Sequence, residues 1–364
     1  NLLIFEIKGS DEVDSPYVLF DTKDNSLYYF DFSATFKAKE GASNMDYYLQ
    51  IVFNAIVKSH IIEPVKNPIT TIQKGSTFVY QGVKKTLESK EIKQLKEIPP
   101  LNSSNEMMDI NSFEKKLDKL IGKKKFKGSM EYLIGGPVFF TDLLNEIENS
   151  SDEIFIRLYI YSNDDYGVRL SNILKNKNDN GIDVRILTGG LANNAESMKR
   201  SAIPFDKDFK QPKSIGQYLA YESGVNFRTS ADTFFMFDHS KMIIIDNKVA
   251  YVGGMNVGQP YRYTWHDMMV KLKGPIVYKV HNQFTEAWAG AGPTGDIGKF
   301  FTKIINLNSP SKKLEKYYNI DSDKQIDIRI LYTKPQKKTI YDAQLLAIKN
   351  AKKRIYIQNP YLAD

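Results

Sequence analysis

Residues 237–258 read FDHSKMIIIDNKVAYVGGMNVG. A histidine and a lysine, His239 and Lys241, stand two apart before four apolar residues, Met242 to Ile245, and an acid, Asp246, closes the run. Side chains at i and i+2 of an extended chain share a face, so His239 and Lys241 point together. An unbroken apolar run of strand length predicts a strand covered on both faces. Asp246-Asn247-Lys248 is turn chemistry, and VAYVGG returns as a hairpin partner. Gly253 and Gly254 lack side chains, so backbone or ligand can come close. Asn256 follows near the same strand ends, where ligands gather in open α/β sheets.

A histidine, a lysine and an asparagine aimed at one point make a phosphate site. Lysine offers a point charge to a phosphate oxygen. Asparagine donates a neutral hydrogen bond, and imidazole can attack phosphorus or shuttle a proton. An isolated H-x-K reads first as a strand-end histidine beside a snorkelling lysine. H-x-K-x4-D followed by G-G-x-N is the more specific pattern, and it reverses that preference.

The flanking sequence alternates helix and strand. Phe140, Leu143, Leu144 and Ile147 keep helical spacing, and EIFIRLYIY (153–161) reads as a strand. Leu170, Ile173 and Leu174 predict a helix ended by Gly181, followed by strands IDVRILT (182–188) and VNFRT (225–229). Gly274-Pro275 opens a helix carrying Ile276, Val280, Phe284, Ala287 and Trp288. This alternation predicts a largely parallel sheet with helices on its faces. Tyr159 and Tyr161 share a face near the expected site, with core packing the plainer reading. Trp288 reads as core, Arg185 as an edge residue, His266 as surface, and Asp164-Asp165 as a helix cap.

Before residue 130 the texture differs. PYVLF and SLYYFDFSATF are β-favouring runs separated by a turn, so residues 1–110 read as a β-rich region of unassigned role. EIPPLNSSNEMMD (97–109) reads as a linker. A short helix follows with Phe113, Leu117, Leu120 and Ile121 on one face, then the basic run KKKFK (123–127), usually a solvated face. The chain opens NLLIFEIKGS, without an initiator Met or a signal pattern, which suggests a processed protein or a fragment.

Composition narrows the chemistry. The 364 residues hold 50 basic and 43 acidic side chains, a net +7, which suits a phosphate-bearing partner. There is no cysteine, which excludes thiol catalysis and Cys-based zinc sites. Four histidines make a His-rich metal cluster a poor expectation, and no run of 18 apolar residues is long enough to cross a membrane. One internal repeat stands out. Ile147, Asn149, Ile154 and Ile156 recur as Ile348, Asn350, Ile355 and Ile357 at one offset, each copy reading as a helix followed by a strand, with a further strand at IDIRILY (326–332) before the second copy.

HSKMIIID, VGGMNVG, WHDMMVKLKGP and FTEAW together resemble the phospholipase D superfamily, nearest its bacterial cardiolipin synthase-like branch, over about 130–364. The fold implied is α/β, a mixed or parallel sheet flanked by helices. A first repeat would span 130–305 and the beginning of a second 325–364. The activity implied is phosphodiester hydrolysis or phosphatidyl transfer through a phosphohistidine, with two motifs sharing one site and no metal or cofactor. His239 would be the catalytic histidine, Lys241, Asn256 and Gly254 the phosphate contacts, and Asp246 the motif acid with a structural and electrostatic role. Asp267 would be the acid that hydrogen-bonds a catalytic histidine, and Gly253 and Gly258 would shape the pocket. The implied partners are an anionic phospholipid and a membrane surface, at the cell envelope or peripheral to the membrane. Nucleic acid is the alternative substrate and a non-catalytic phosphate-binding scaffold the other reading.

Three features depart from the pattern. Asp238 stands where relatives carry a basic or neutral residue, and it is expected to raise the His239 pKa or repel an anion. Gly189-Gly190 replaces an acid after ILT. No second H-x-K occurs in the 364 residues, so the second motif is expected from sequence beyond Asp364 or from a homodimer partner.

Overall fold

The computed structural model describes residues 2–6, 17–21, 26–30, 63–92, 107–190, 193, 201, 203, 205, 207–230, 238–308, 325–335 and 337–358. Near the N-terminus, β1 (Leu2–Glu6), β2 (Tyr17–Asp21) and β3 (Ser26–Phe30) form an antiparallel meander. The expected β-rich character does not extend to residues 63–92. Residues 63–92 form α1 (Glu63–Lys66) and the long α2 (Pro68–Ile92). Proline suits a helix start, and the Lys, Glu, Gln and Leu content of its second half favours helix. The expected linker at 97–109 lies almost wholly outside the described residues. Asp109 then caps α3 (Ile110–Ile121), its carboxylate accepting from Asn111 N and Ser112 N.

The central sheet has eight strands. They are β4 (Phe126–Ile134), β5 (Glu153–Leu158), β6 (Asp183–Thr188), β7 (Asn226–Thr229), β8 (Met242–Ile245), β9 (Val249–Gly253), β10 (Met268–Lys273) and β11 (Ile326–Ile328). Their order is β11-β4-β10-β9-β8-β5-β6-β7. Only β5, β6 and β7 run parallel; every other pairing is antiparallel. The sheet is therefore mixed and not largely parallel. The hairpin β8–β9 turns back on itself and inserts beside β5, where a crossover helix would have kept the strands parallel.

Helices cover both faces. Ile243 and Ile245 of β8 pack in one core with Phe140, Leu143 and Ile147 of α4 (Gly136–Glu148) and Leu170 and Leu174 of α5 (Asp165–Asp179). Met242 and Ile244 face the other way, against Ile276, Val280 and Phe284 of α7 (Ile276–Ala291). That is why β8 is apolar at four consecutive positions. α6 (Ile215–Glu222) precedes β7, and α8 (Gly295–Asn308) packs on α7. Pro275 sits just before the first residue of α7, one position earlier than expected.

Residues 326–350 return to the same body. β11 joins the sheet edge beside β4, a short hairpin of β12 (Thr333–Lys334) and β13 (Lys337–Lys338) follows, and α9 (Thr339–Asn350) packs on α3. The strand expected after this helix does not appear in the described residues 351–358. Ile355, Tyr356 and Ile357 are exposed there.

Candidate active site

The two ends of β8 carry the residues singled out in the sequence. At the N-terminal end, His239 is exposed and Lys241 is buried, only 4% accessible. The Lys241 ammonium donates to the carbonyl of His239 at 3.0 Å, which folds the lysine back under the histidine. Tyr159, just past the end of β5, sets its ring edge-on to His239 with centroids 4.7 Å apart. The same ring lies 5.4 Å from Lys241 Nζ. The two motif residues and Tyr159 thus form one cluster at the carboxyl ends of β5 and β6.

Burial and neighbouring charges set the protonation of both motif residues. Desolvation and then the Lys241 charge push His239 down to about 4, while Asp238 pulls the other way. The side chain is exposed, so solvent screens part of that shift. The imidazole is neutral at pH 7 and free to act as nucleophile or base. Desolvation lowers Lys241 to about 8 against the attraction of Asp267 and Asp238. Asp238 does act on His239 in the expected, raising direction, but burial and Lys241 outweigh it. Its carboxylate is held by the Arg157 guanidinium, through Nε at 2.9 Å and through Nη2, and it accepts from Ser240 N at 3.2 Å. Arg157 and Ser240 outweigh burial and keep Asp238 ionised.

Asp246 stands at the opposite end of the strand. It lies five positions along the chain from Lys241, about 16 Å at the usual strand rise. Its carboxylate accepts from the backbone N–H groups of Ser151, Asp152 and Glu153 and from the Ser151 hydroxyl, at 2.8–3.2 Å. These bonds hold it below the usual carboxylate range despite burial. Asp246 and Asn247 adopt φ of 53° and 49°, and Lys248 N closes on Ile245 O at 3.0 Å. Asp and Asn tolerate this left-handed geometry better than other side chains. Asp246 is therefore placed for structure, and it is not brought to His239.

Asp267 is brought near. It is the first attractive charge acting on Lys241, and its carboxylate receives Met268 N at 2.7 Å. Among the described residues it makes no hydrogen bond to His239. Gly254 lies directly beneath it; a Cβ there would stand 2.3 Å from Asp267 Oδ1. Asn256 is buried and largely committed. Its carbonyl accepts from Ile160 N at 3.0 Å and its amide donates to the Tyr261 hydroxyl at 2.8 Å, which leaves one N–H. Gly253 meets β10, where a Cβ would fall 2.4 Å from Met268 O, and Gly258 meets Ser162. Gly189 has its own reason: a side chain there would press on Tyr159, the ring that supports His239.

Other expectations resolve simply. Tyr161 is core, bonded to Ser171 and Gly167, and Trp288 is core under Arg228. Asp164 caps α5 through Gly167 N, and its second oxygen accepts from Gln259 N at 2.7 Å. Arg185 pairs with Asp183, and His266 is exposed. Arg157 was not singled out by sequence, although it shares the Phe155–Arg157–Tyr159 face of β5, a parity that would have pointed to it.

Comparison with known proteins matches the same region. Residues 143–288 match the family described as cardiolipin synthase, PLD-like domain. The chain is similar to cardiolipin synthase 1 of Bacillus cereus, 27% identical over 238 residues, which is 63% of this chain and 44% of that protein. It is similar to the cardiolipin synthase of Listeria monocytogenes, 26% identical over 243 residues, 64% of this chain and 45% of that one. The chain thus spans about half the length of the curated relatives it matches. Among solved structures, a phospholipase D family member, Nuc from Salmonella typhimurium, aligns at 17% identity and a TM-score of 0.34, over 44% of this chain and 94% of that one. Residues 143–288 are thus similar to the phospholipase D-like domain of cardiolipin synthases, the resemblance that the motifs pointed to.

Proposed function

We propose that this chain supplies one half of the active site of a phospholipid-processing phosphatidyltransferase or hydrolase that works through a phosphohistidine. The observation that supports it most is the pairing of an exposed neutral imidazole with a buried ammonium that has no carboxylate ion pair among the described residues. In this reading a nitrogen of His239 attacks the phosphodiester phosphorus. The P–O bond to the leaving alcohol breaks, and that alkoxide takes a proton from an acid supplied by the second motif. Water or another alcohol then attacks phosphorus, the P–N bond breaks, and the imidazole is restored. Lys241 neutralises the phosphoryl oxygens, and Asn256 offers its remaining N–H. No step calls on a metal.

The test uses the natural full-length protein on phosphatidylglycerol vesicles. His239→Ala is expected to lower turnover about 10²–10⁴-fold, and quenching the wild type during turnover is expected to trap an acid-labile phosphorus on histidine. Unchanged turnover in the variant overturns the role of His239. Cleavage of plasmid DNA without any action on the lipid transfers the same chemistry to nucleic acid.

A further inference from the structure

A second concentration of positive charge lines a cleft that contains neither His239 nor Lys241. Four separate segments meet there: the loop between α3 and β4, the first turns of α7, the residues after β11, and the β12–β13 hairpin. They enclose a cleft of about 270 Å³ lined by Lys124, Lys279 and Lys337 together with Phe126, Ile330 and Tyr332. Arg329 also lines it but is spent on Asp118 and Glu114. Among the described residues the three lysines form no ion pair. Lys124 leans over Phe126, and Lys337 and Lys334 lie over Tyr332 at 5.2 and 4.6 Å, with the Tyr332 hydroxyl fixed by Gln283.

These cations act on one another. Desolvation lowers Lys279, and Lys124, Lys337 and Lys303 lower it further against the pull of Glu286. Lys334 behaves alike, lowered by desolvation and by Arg157, Lys299 and Lys279 against Glu286. Gathering like charges from distant parts of a chain costs free energy unless a counter-charge arrives. The net +7 of the chain does not require it, since exposed lysines can spread apart. A concave site with converging ammonium groups and an apolar wall fits a phosphate ester: the charges take the phosphate, and Phe126 and Ile330 take the body attached to it.

We propose that this cleft is a second anion site, built for a phosphate ester and sharing no residue with the His239 site. It does not depend on His239 being catalytic. The ester comes either from a lipid headgroup or from a soluble metabolite, and the two are separable by experiment. Glycerol 1-phosphate is titrated into the full chain by calorimetry at low salt. The double variant Lys279→Gln, Lys337→Gln is compared with Lys279→Arg, Lys337→Arg and with Lys241→Met, all checked for unchanged melting. Loss of roughly tenfold or more in affinity in the Gln pair, with binding kept in the Arg pair and in Lys241→Met, supports the site. Absence of binding in the wild type overturns it, and so does binding that is lost only in Lys241→Met. Flotation with phosphatidylglycerol against phosphatidylcholine vesicles then names the source. A Gln pair that no longer floats with the anionic vesicles points to the lipid, and one that still floats points to the soluble ester.

Discussion

Lys241 and Lys271 make an informative pair. Both are buried, at 4% and 7% accessible. Lys271 on β10 is enclosed by carboxylates, with Asp142 at 2.7 Å and Glu146 at 2.8 Å from its ammonium, and Tyr251 donates to the same Asp142. Lys241 has one backbone carbonyl at 3.0 Å. Burial opposes both charges, yet the partners raise Lys271 above its ordinary pKa while Lys241 falls to about 8. A buried charge is tolerated when it is paired. Lys271 is complete within the fold and holds α4 against the sheet. Lys241 has no carboxylate ion pair among the described residues, and the partner that the proposed function assigns to it is an anion from outside.

The sharpest break of this comparison is a matched pair of substitutions to methionine. Lys271→Met leaves two carboxylates facing each other and is expected to cost about 3 kcal/mol in urea unfolding. Lys241→Met is expected to leave stability unchanged or slightly raised while abolishing vanadate binding at the His239 site. Equal destabilisation by the two would remove the distinction. Next in size is Asp246→Ala, which strands three backbone N–H groups and is expected to cost about 2–3 kcal/mol, read by the same unfolding series.

Alkaline pH sharpens the contrast because the signs oppose. Lys241 titrates lower in the folded chain, so between about 8 and 10.5 the unfolded chain binds more protons and this group adds stability as pH rises. Lys271 titrates higher when folded, so its contribution is full below 10.5 and is lost as pH rises through the folded value. Unfolding from pH 8 to 10.5 should therefore lose a rising component in Lys241→Met; an identical profile in wild type and variant would argue against an unpaired Lys241. The smallest effect is expected at Lys248, whose exposed ammonium is 3.4 Å from Asp246. Lys248→Ala should shift stability by no more than about 0.5 kcal/mol.

What the sequence disclosed follows the range of the forces involved. The elements from 136 to 188 were legible because apolar periodicity is local: Leu143, Ile147, Leu170 and Leu174 fall where a helix must bury them. The turn at Asp246-Asn247 was legible for the same reason. The direction of β8 was not, since its pairing with β5 joins residues some 90 positions apart. The salt bridge from Arg157 to Asp238 and the loss of Asn256 to Ile160 and Tyr261 depend on that same long-range pairing. Lysines 124, 279 and 337 appear unrelated along the chain and meet only in the fold. The N-terminal expectation failed beyond residue 62 because aromatic runs near the start were extended over a segment whose own composition is helical.

The turn at Asp246 has a consequence for alignment. β8 is apolar at all four positions, so sliding it by one residue would exchange one greasy face for another and the core would scarcely object. Such a slip would rotate His239 and Lys241 away from Tyr159. What forbids it is the far end of the strand: the carboxylate clamped to residues 151–153 and the two left-handed residues that fit only one turn. The acid that never touches His239 thereby works as a gauge, setting from about 16 Å away which side chains the strand delivers.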